Sequence, residues 1–446
     1  MRKPTDNMEI FARRRRLLAE KAKGAAVVIP SHPEMIRNND VHHQYRQDTN
    51  LFYLTGWEEQ ESVFVFRPGQ TPETVMFVRA KDIERETWDG FRYGPEGCAR
   101  EFRIDKTFLI EDFNKEIGNL LKSSDRVYYR FGIDKEFDSK FLTVLDGVRR
   151  LHGRSGRGLL PMLDSWELVG ELRAIKTADD VELMRRAGKV SAIAHNAVMR
   201  ATKPGVTEKY LLGVFLGSIY QQNADREGYG SIVASGANAC TLHYTFNDQT
   251  CRDGDLLLID AGAEVRYYTG DITRTYPVNG KFTAAQRKVY DRVLEIQKEL
   301  CAMAKPGVLF KSLQDRTIDF LTDAMIDLKL IKASRSEAIE RLLFKKYYPH
   351  GVSHYLGMDV HDTGLYQVPT DADSHAFASR KLEPGIAFTI EPGLYIPPDD
   401  KDAPEELRGI GVRIEDDVVV TASGIENLTS ETPKEVADLE AMIGRS

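Results

Sequence analysis

Three acidic residues stand at the ends of strongly apolar runs, where a charged side chain is hardest to accommodate. Asp260 ends the run 256–259 (Leu-Leu-Leu-Ile), and Glu391 follows the run 387–390 (Ala-Phe-Thr-Ile). Glu415 lies between two further runs rich in valine and isoleucine. Because burying an unpaired carboxylate costs several kcal/mol, each of these strand-like segments needs a compensating cation. One or two shared metal ions would supply it.

A fourth acid, Asp271, is related to Asp260 by its spacing. If residues 256–276 form a hairpin that turns at Val265 and Arg266, Asp260 and Asp271 oppose each other directly. Directly opposed side chains of an antiparallel pair lie on one face, with Cβ atoms about 4.5–5.5 Å apart. Two bare carboxylates so placed repel, whereas a divalent ion between them reverses the interaction. The alternative is that both are ordinary surface acids, because the chain has 68 Asp and Glu residues.

The chain also repeats itself over the region that carries these acids. The tetrapeptide Lys-Pro-Gly-Val at 203–206 recurs at 305–308, each time between two helical stretches. Pro-Gly ends the first helix of each pair, because proline lacks an N–H donor and glycine tolerates positive φ. Downstream, Asp260 and Glu391 occupy matching strand ends, each followed two residues later by glycine. The pattern predicts a duplicated helix–helix–strand unit that closes on a central site.

Residues 1–172 have the character of a separate mixed α/β domain. Short β-rich runs alternate there with helical segments, and the runs are 25–30, 51–55, 63–66, 75–78 and 127–131. The stretch 152–161 holds three glycines and a proline, which is typical of a linker. We therefore expect a second domain over residues 173–446.

The composition agrees with a soluble protein of the cytoplasm. At 446 residues and 42% hydrophobic content, the chain is long enough for two domains with substantial cores. Its net charge of −7 argues against a nucleic-acid partner, which would bind to a basic face. No apolar stretch is long enough to span a bilayer, and none near the N-terminus resembles a secretory signal. We therefore expect neither a nucleic-acid partner nor a membrane partner.

Seven ordered segments resemble the Xaa-Pro peptidases of the pita-bread fold, and most closely the bacterial aminopeptidase P family. They are residues 242–244 (Leu-His-Tyr), 259–262 (Ile-Asp-Ala-Gly), 270–275 (Gly-Asp-Ile-Thr-Arg-Thr), 350–354 (His-Gly-Val-Ser-His), 359–362 (Asp-Val-His-Asp), 389–395 (Thr-Ile-Glu-Pro-Gly-Leu-Tyr) and 411–417 (Gly-Val-Arg-Ile-Glu-Asp-Asp). The segment 45–56 likewise resembles the start of that family's N-terminal domain. The resemblance implies an α/β (α+β) chain. A creatinase-like α/β domain over 1–172 would precede a pita-bread catalytic domain over 173–446 with a pseudo-twofold internal repeat.

The same resemblance implies a dinuclear metal site. Asp260 would hold one divalent ion, His354 and Glu391 the other, and Asp271 and Glu415 would bridge the two or nearly so. Four carboxylates and one imidazole form an oxygen-rich donor set that suits Mn²⁺ better than a thiolate-binding ion. The chain has no His-Glu-x-x-His pattern, so the zinc mechanism of that motif is not indicated. Two Mn²⁺ ions are the expected cofactors, and metal-assisted amide hydrolysis is the expected chemistry.

Other residues take catalytic roles from the motifs to which they belong. Glu391 would also handle the proton of the attacking water, and His361 and His243 would stabilise the tetrahedral oxyanion or the leaving group. Without the motif context, His243 would be interpreted as an ordinary structural histidine. Arg413 is expected at the same centre, but on a strand it shares a face with Glu415, so a charge-balancing ion pair is the alternative.

The resemblance also implies the residues that bind substrate. His350 and Tyr395 would line the substrate site together with Arg413. Asp40 would meet the free amine of the peptide. Trp88 would reach the site of a neighbouring subunit, and a homodimer or homotetramer is expected.

The expected activity is release of the N-terminal residue from peptides with proline in the second position. The bond before proline is a tertiary amide without an N–H, and the ring fixes φ, so a general aminopeptidase loses a binding handle there. A prolidase is the alternative, with the same ligands but a preference for dipeptides and a longer insertion after His361. Here only 20 residues, 362–381, separate His361 from Leu382. A non-catalytic peptide-binding protein of the same fold is a remote alternative, because all five ligand positions are filled.

Overall fold

The chain divides into two compact units, Met1–Leu172 and Arg173–Ser446. The computed structural model describes residues 7–156, 158–370 and 376–445. Both units mix helices and strands, so the α/β class predicted from the sequence is confirmed. Within the described ranges, no helix has both the length and the apolar character needed to cross a membrane.

The first unit is built on a six-stranded mixed sheet and also has a separate two-stranded sheet, formed by its second and third strands. Its strands are β1 (Ala25–Pro30), β2 (Ile36–Asn38), β3 (Val41–His42), β4 (Val63–Phe66), β5 (Thr74–Val78), β6 (Lys106–Leu109), β7 (Arg126–Tyr128) and β8 (Met162–Leu163). The helices up to residue 174 are α1 (Met8–Lys21), α2 (Thr49–Thr55), α3 (Ile83–Asp89), α4 (Gly94–Phe102), α5 (Phe113–Leu121), α6 (Lys135–Leu151) and α7 (Ser165–Ala174). The sheet order is β6-β5-β4-β1-β7-β8, with β1 antiparallel to β4 and parallel to β7. Apolar side chains of α5 and α6 pack on the sheet to form the core of this unit.

The segment 51–55, predicted as a strand, belongs instead to helix α2. Asp48 caps this helix by accepting a hydrogen bond from the backbone N–H of Leu51 (2.8 Å), and Gly56 ends it with φ of 73°. Every residue of α2 is buried. A helix buried on all sides shows no apolar periodicity, so its sequence resembles that of a buried strand. The strand prediction was wrong here, whereas those for 25–30 and 63–66 are confirmed.

The second unit combines two helix pairs with several short sheets. Its helices are α8 (Ala178–Ala201), α9 (Glu208–Gln221), α10 (Ala284–Met303), α11 (Phe310–Asp327), α12 (Arg335–Glu340) and α13 (Val436–Met442). Its strands are β9 (Arg226–Glu227), β10 (Ile232–Ser235), β11 (Leu256–Ala261), β12 (Ala263–Val265), β13 (Tyr268–Thr269), β14 (Ile272–Pro277), β15 (Gln367–Pro369), β16 (Phe377–Ser379), β17 (Ala387–Ile390), β18 (Gly393–Tyr395), β19 (Gly411–Arg413), β20 (Asp416–Val420) and β21 (Ile425–Asn427). Two sheets matter for the site, with strand orders β10-β11-β14 and β17-β20-β21.

The two halves of the second unit repeat one arrangement. A Lys-Pro-Gly-Val turn joins α8 to α9 and α10 to α11, with the glycine at positive φ in both copies (91° and 88°). The residue after each valine makes an isolated antiparallel bridge, Thr207 with Thr250 and Leu309 with Lys381. Strand β11 follows the first bridge and strand β17 follows the second. The internal repeat predicted from the sequence is therefore present in the fold.

The hairpin that carries Asp260 and Asp271 turns one residue later than the sequence suggested. Its turn residues are Arg266 and Tyr267, both at positive φ (49° and 73°). Asp260 consequently pairs with Thr273, and Asp271 lies diagonally across the ladder. Left-handed residues at both positions match the twist of the flanking strands, but Arg-Tyr lacks the Asn, Asp or Gly that usually marks such a turn. The predicted direct opposition was wrong. Moving the turn by one residue shifts the pairing of the strands by two residues, so both acids still lie on one face.

Candidate active site

One cavity of the second unit gathers the candidate residues. Its volume is about 480 Å³, a size typical of small-molecule and peptide sites. Its wall is formed by Tyr229, Gly230, Ile232, Leu242, His243, Thr245, Asp260, Asp271, His350, Gly351, Ser353, His354, Val360, His361, Glu391, Arg413 and Glu415. Of the sequence-predicted site residues in this unit, all except Tyr395 line the cavity. Tyr395 lies directly behind the wall, where its hydroxyl is hydrogen-bonded to His350 and Arg413.

Strand ends from both halves of the repeat deliver the four acids. Asp260 lies in β11, and Asp271 directly precedes β14. Glu391 directly follows β17, and Glu415 lies between β19 and β20. A bridge between Thr273 and Glu415 joins the halves, and the Thr273 hydroxyl donates to Oε2 of Glu415 (2.6 Å). The acids converge because this bridge holds the strands of the two halves side by side.

The backbone beside His354 determines which of its nitrogens carries a proton. Nδ1 lies 2.9 Å from the carbonyl oxygen of Tyr355, so Nδ1 is the donor. Nε2 then faces carboxylate oxygens of Asp271 (3.4 Å) and Glu391 (3.6 Å). A bare lone pair facing two carboxylates is unfavourable, so this position demands a proton or a metal ion. Burial alone would lower the pKa of His354, but the hydrogen bond to Asp271 and the charges of Glu391 and Asp271 raise it to about 9.

The carboxylates of the cavity also need a positive charge nearby to stay ionised. Burial raises the pKa of Glu415, and the charges of Asp271 and Glu391 raise it further. Burial also raises the pKa of Glu391 to about 7, against the lowering effect of the His354 charge. Ligand atoms of Asp271, His354 and Glu415 lie within 4.8 Å of one another, close enough to share one ion. The residues present therefore fit a divalent metal, whose charge would hold the carboxylates ionised.

Tyr229 belongs to this centre, although no sequence pattern pointed to it. Its hydroxyl lies 2.6 Å from Oδ1 of Asp260 and also contacts Oδ1 of Asp271, so it holds the two acids side by side. Burial raises the pKa of Tyr229 well above its usual value, and the charges of Asp260 and Asp271 add to the shift, so the phenol stays protonated. The one local signal is a glycine on each side. Gly228 is needed because a Cβ there would lie 2.2 Å from the Thr269 side chain.

Arg413 connects the acids to the cavity wall. Its Nη2 donates to Oδ2 of Asp260 (2.5 Å), so a charge-balancing ion pair is present, and its Nη1 donates to the hydroxyl of Tyr395 (2.9 Å). His350 Nδ1 lies 2.7 Å from the Gly351 carbonyl oxygen and carries the proton, so Nε2 accepts from the Tyr395 hydroxyl (2.9 Å). Burial lowers the pKa of His350 to about 4, with a further contribution from the Arg413 charge, so the ring is neutral. The chain of hydrogen bonds fixes the direction in which each group donates.

His361 and His243 face the cavity beside the acids. The ring centre of His361 lies 4.5 Å from that of His354. Burial lowers the pKa of His361, and the charge on His354 lowers it further. His243 is on the loop after β10, between Leu242 and Thr245, which also line the cavity. Both imidazoles are placed where an N–H could reach a group bound in the cavity.

Asp40 and Trp88 belong to the first unit. Asp40 is exposed in the turn between β2 and β3. Trp88 is 84% exposed in α3, a helix without buried residues. The roles expected for these two residues stay predictions.

Two family models match the chain in sequence order. "Aminopeptidase P, N-terminal domain" matches residues 10–128, and "Metallopeptidase family M24" matches residues 182–422. The chain belongs to metallopeptidase family M24. The M24 match includes every residue that lines the cavity, and the resemblance stated from the seven motifs is confirmed.

Relatives of this M24 enzyme match it over nearly its full length. The Xaa-Pro aminopeptidase of Escherichia coli is 37% identical over 436 residues, which is 97% of each chain. Xaa-Pro aminopeptidase 3 of Homo sapiens is 36% identical over 442 residues, or 96% of this chain and 84% of the relative. Among solved structures, Pseudomonas aeruginosa aminopeptidase PepP has a TM-score of 0.93 and 39% identity over 98% of both chains. Zn-substituted Escherichia coli aminopeptidase P in complex with product has a TM-score of 0.91 and 37% identity, again over 98% of both.

Proposed function

We propose that this M24 enzyme is an Xaa-Pro aminopeptidase that releases the N-terminal residue from peptides with proline in the second position. The observation that carries the proposal is the convergence of four acids and one ligand-type histidine on a single cavity. The chain that holds this cavity also matches aminopeptidase P in its N-terminal domain, and it is 37% identical to an Xaa-Pro aminopeptidase over 436 residues. Full-length matches of this kind support the aminopeptidase over the prolidase alternative.

Five residues would hold two divalent ions. Asp260 would bind one ion, His354 and Glu391 the other, and Asp271 and Glu415 would be shared. The oxygen-rich donor set favours Mn²⁺. When bound, such ions polarise a scissile carbonyl and lower the pKa of a bound water. The close approach of Asp271, His354 and Glu415 supports the shared positions.

The side chains of the protein supply proton transfer and charge stabilisation. Glu391 would accept the proton of the attacking water, because it is a carboxylate that borders the cavity beside His354. His361 and His243 would donate to the oxyanion or to the departing nitrogen. Arg413 would keep Asp260 ionised and aligned through its 2.5 Å contact.

A group of side chains next to the acids would select proline. His350, His361 and Arg413 line the cavity and would contact the ring of the second residue, and the Tyr395 hydroxyl is hydrogen-bonded to His350 and Arg413. A group that protonates the leaving nitrogen is needed there because the bond before proline is a tertiary amide. His361 in its protonated form is our candidate, because its lowered pKa makes the imidazolium a stronger proton donor.

Several further features of the proposal rest on the motif resemblance and the composition. Asp40 would meet the free amine of the substrate, and Trp88 would reach the site of a neighbouring subunit in a homodimer or homotetramer. We also propose a cytoplasmic location, with neither nucleic acid nor membrane as a partner.

A comparison of three peptides tests the proposed activity. A tripeptide Xaa-Pro-Yaa should be cleaved with clearly higher kcat/KM than the dipeptide Xaa-Pro, because the extra residue adds contacts that a closed dipeptide site would exclude. Only the first residue should be released, and acetylation of the amine should remove most of the activity. A better rate on the dipeptide would indicate a prolidase. Equal cleavage of the acetylated tripeptide would contradict an aminopeptidase.

A further inference from the structure

Glu208, in the first turn of α9, is a fully buried carboxylate that the mechanism above does not use. It accepts four hydrogen bonds, all from uncharged donors. Within the described part of the chain, no lysine, arginine or histidine forms an ion pair with it. A buried anion balanced only by neutral donors is stable when every lone pair is satisfied and the groups around it are held in place.

The four donors come from the segment 235–249, which begins at the last residue of β10 and continues into the loop before β11. Oε1 accepts from the backbone N–H of Ser235 (2.7 Å) and from the side-chain amide of Asn238 (3.0 Å). Oε2 accepts from the hydroxyl of Tyr244 (2.9 Å) and from the backbone N–H of Gln249 (2.9 Å). Glu208 therefore ties the beginning, the middle and the end of this loop to helix α9.

His243 is carried by the same loop and has no comparable anchor of its own. Within the described residues its ring makes no hydrogen bond to the protein, unlike His350 and His354. The next residue, Tyr244, is only 7% exposed, and its ring packs in a small core that also includes Tyr395. The direction in which His243 enters the cavity is thus set by the backbone that Glu208 holds through Tyr244.

We infer that Glu208 is a positioning residue for His243, acting through the loop 235–249 on the reaction in the cavity. The inference rests on the proposed function, in which His243 stabilises the oxyanion or the leaving group. It goes beyond that function because Glu208 lies outside the cavity wall and its hydrogen-bond partners are not proposed metal ligands.

The replacement Glu208→Gln is a sharp test because the amide cannot satisfy the site in either orientation. Each carboxylate oxygen accepts from one backbone N–H, of Ser235 at one oxygen and of Gln249 at the other. Whichever end carries the NH₂ group therefore meets a backbone donor. We expect kcat on an Xaa-Pro-Yaa tripeptide to fall by about 10- to 100-fold, the range for a displaced catalytic group.

A double-mutant cycle distinguishes positioning from a general loss of stability. If Glu208 acts through His243, Glu208→Gln should lower kcat by less than about threefold in the His243→Ala background, because the group being positioned is already gone. An equal loss in both backgrounds would overturn the inference. So would a wild-type kcat in the single variant.

Two more variants secure the result. Tyr244→Phe removes the hydroxyl that contacts both Glu208 (2.9 Å) and Asp248 (3.1 Å) and keeps both backbone contacts of Glu208. It should therefore fold and show the same non-additivity with His243→Ala at smaller amplitude, and additive losses would overturn the inference. Asp138→Asn is the matched control, because Asp138 also accepts from a tyrosine hydroxyl (Tyr129, 2.6 Å) and a backbone N–H (Gly132, 2.9 Å), but in the first unit. It should leave kcat unchanged in both backgrounds.

The failure of the proposed function and the failure of this inference give different results. If wild type does not cleave the tripeptide, the proposed function is wrong and the inference falls with it. If wild type is active and the losses are additive, only the inference is wrong.

Discussion

Replacement of Asp416 by asparagine should destabilise the M24 unit strongly, although Asp416 is not a proposed metal ligand. Its side chain is fully buried and forms an ion pair with the fully buried Arg274 (2.6 Å). The other carboxylate oxygen accepts from Gln297 (2.9 Å) and Asn427 (2.9 Å), and it also contacts the Lys434 ammonium. All of these partners donate, so an amide at position 416 would place its own N–H groups against donors.

The magnitude follows from the charge that would be left behind. Removing one partner of a buried pair typically costs about 3–5 kcal/mol, because the remaining charge stays buried without compensation. For a domain of roughly 150–250 residues, each kcal/mol shifts Tm by about 2–4 °C, so a fall of about 6–20 °C is expected. Arg274 also donates to the backbone carbonyls of Thr273 and Glu415. The strands that carry the proposed metal ligands should therefore loosen along with the pair.

Urea denaturation and calorimetry of the metal-free protein would measure this effect. The matched control is Asp291→Asn in the same unit, where Asp291 pairs with Arg287 at 3.0 Å but the side chains are 48% and 44% exposed. An exposed pair of this kind contributes about 0–1 kcal/mol. Equal and small losses of unfolding free energy in both variants would refute the reasoning, because burial would then not change how much the ion pair stabilises the protein.

Three other perturbations test separate parts of the structure. Burial alone would raise the pKa of Asp400, but hydrogen bonds from Lys346 and Tyr347 lower it to about 2. This stabilisation is present above the unfolded-state pKa of about 4 and is lost as pH falls through 2. Wild type should therefore lose more stability than Asp400→Asn over that window, and parallel denaturation curves would contradict the assignment. His361→Ala should lower kcat about 10²- to 10³-fold with unchanged metal content, whereas near wild-type turnover would make His361 structural. Tyr229→Phe should weaken metal affinity about 10- to 100-fold, measured by competition with a chelator, and an unchanged affinity would exclude it as the residue that aligns the two aspartates.

The sequence was sufficient to locate most of the cavity, because the signals there are local. An acid at the end of an apolar run is visible in the chain itself, and Asp260, Glu391 and Glu415 were found in this way. The repeated Lys-Pro-Gly-Val turn indicated how widely separated strands meet. The cavity does bring these acids together.

Features set by distant partners could not be predicted from local patterns. Tyr229 and Glu208 take their significance from groups that reach them only in the folded chain. The hairpin register depended on whether the turn fell at one residue or the next, and Arg266-Tyr267 carries no turn signature. Helix α2 was mistaken for a strand because burial on every side removes the periodicity that separates the two structures.

The most direct test of the account measures metal content and hydrolysis on the same samples. Protein stripped with a chelator would be titrated with Mn²⁺ while cleavage of an Xaa-Pro-Yaa tripeptide is followed, and bound metal would be counted by inductively coupled plasma analysis. Wild type should regain activity as it binds about two ions per chain, and Asp260→Asn and Glu415→Gln should lose metal and activity together. Full activity of the metal-free protein, or full metal occupancy in both inactive variants, would contradict the central claim.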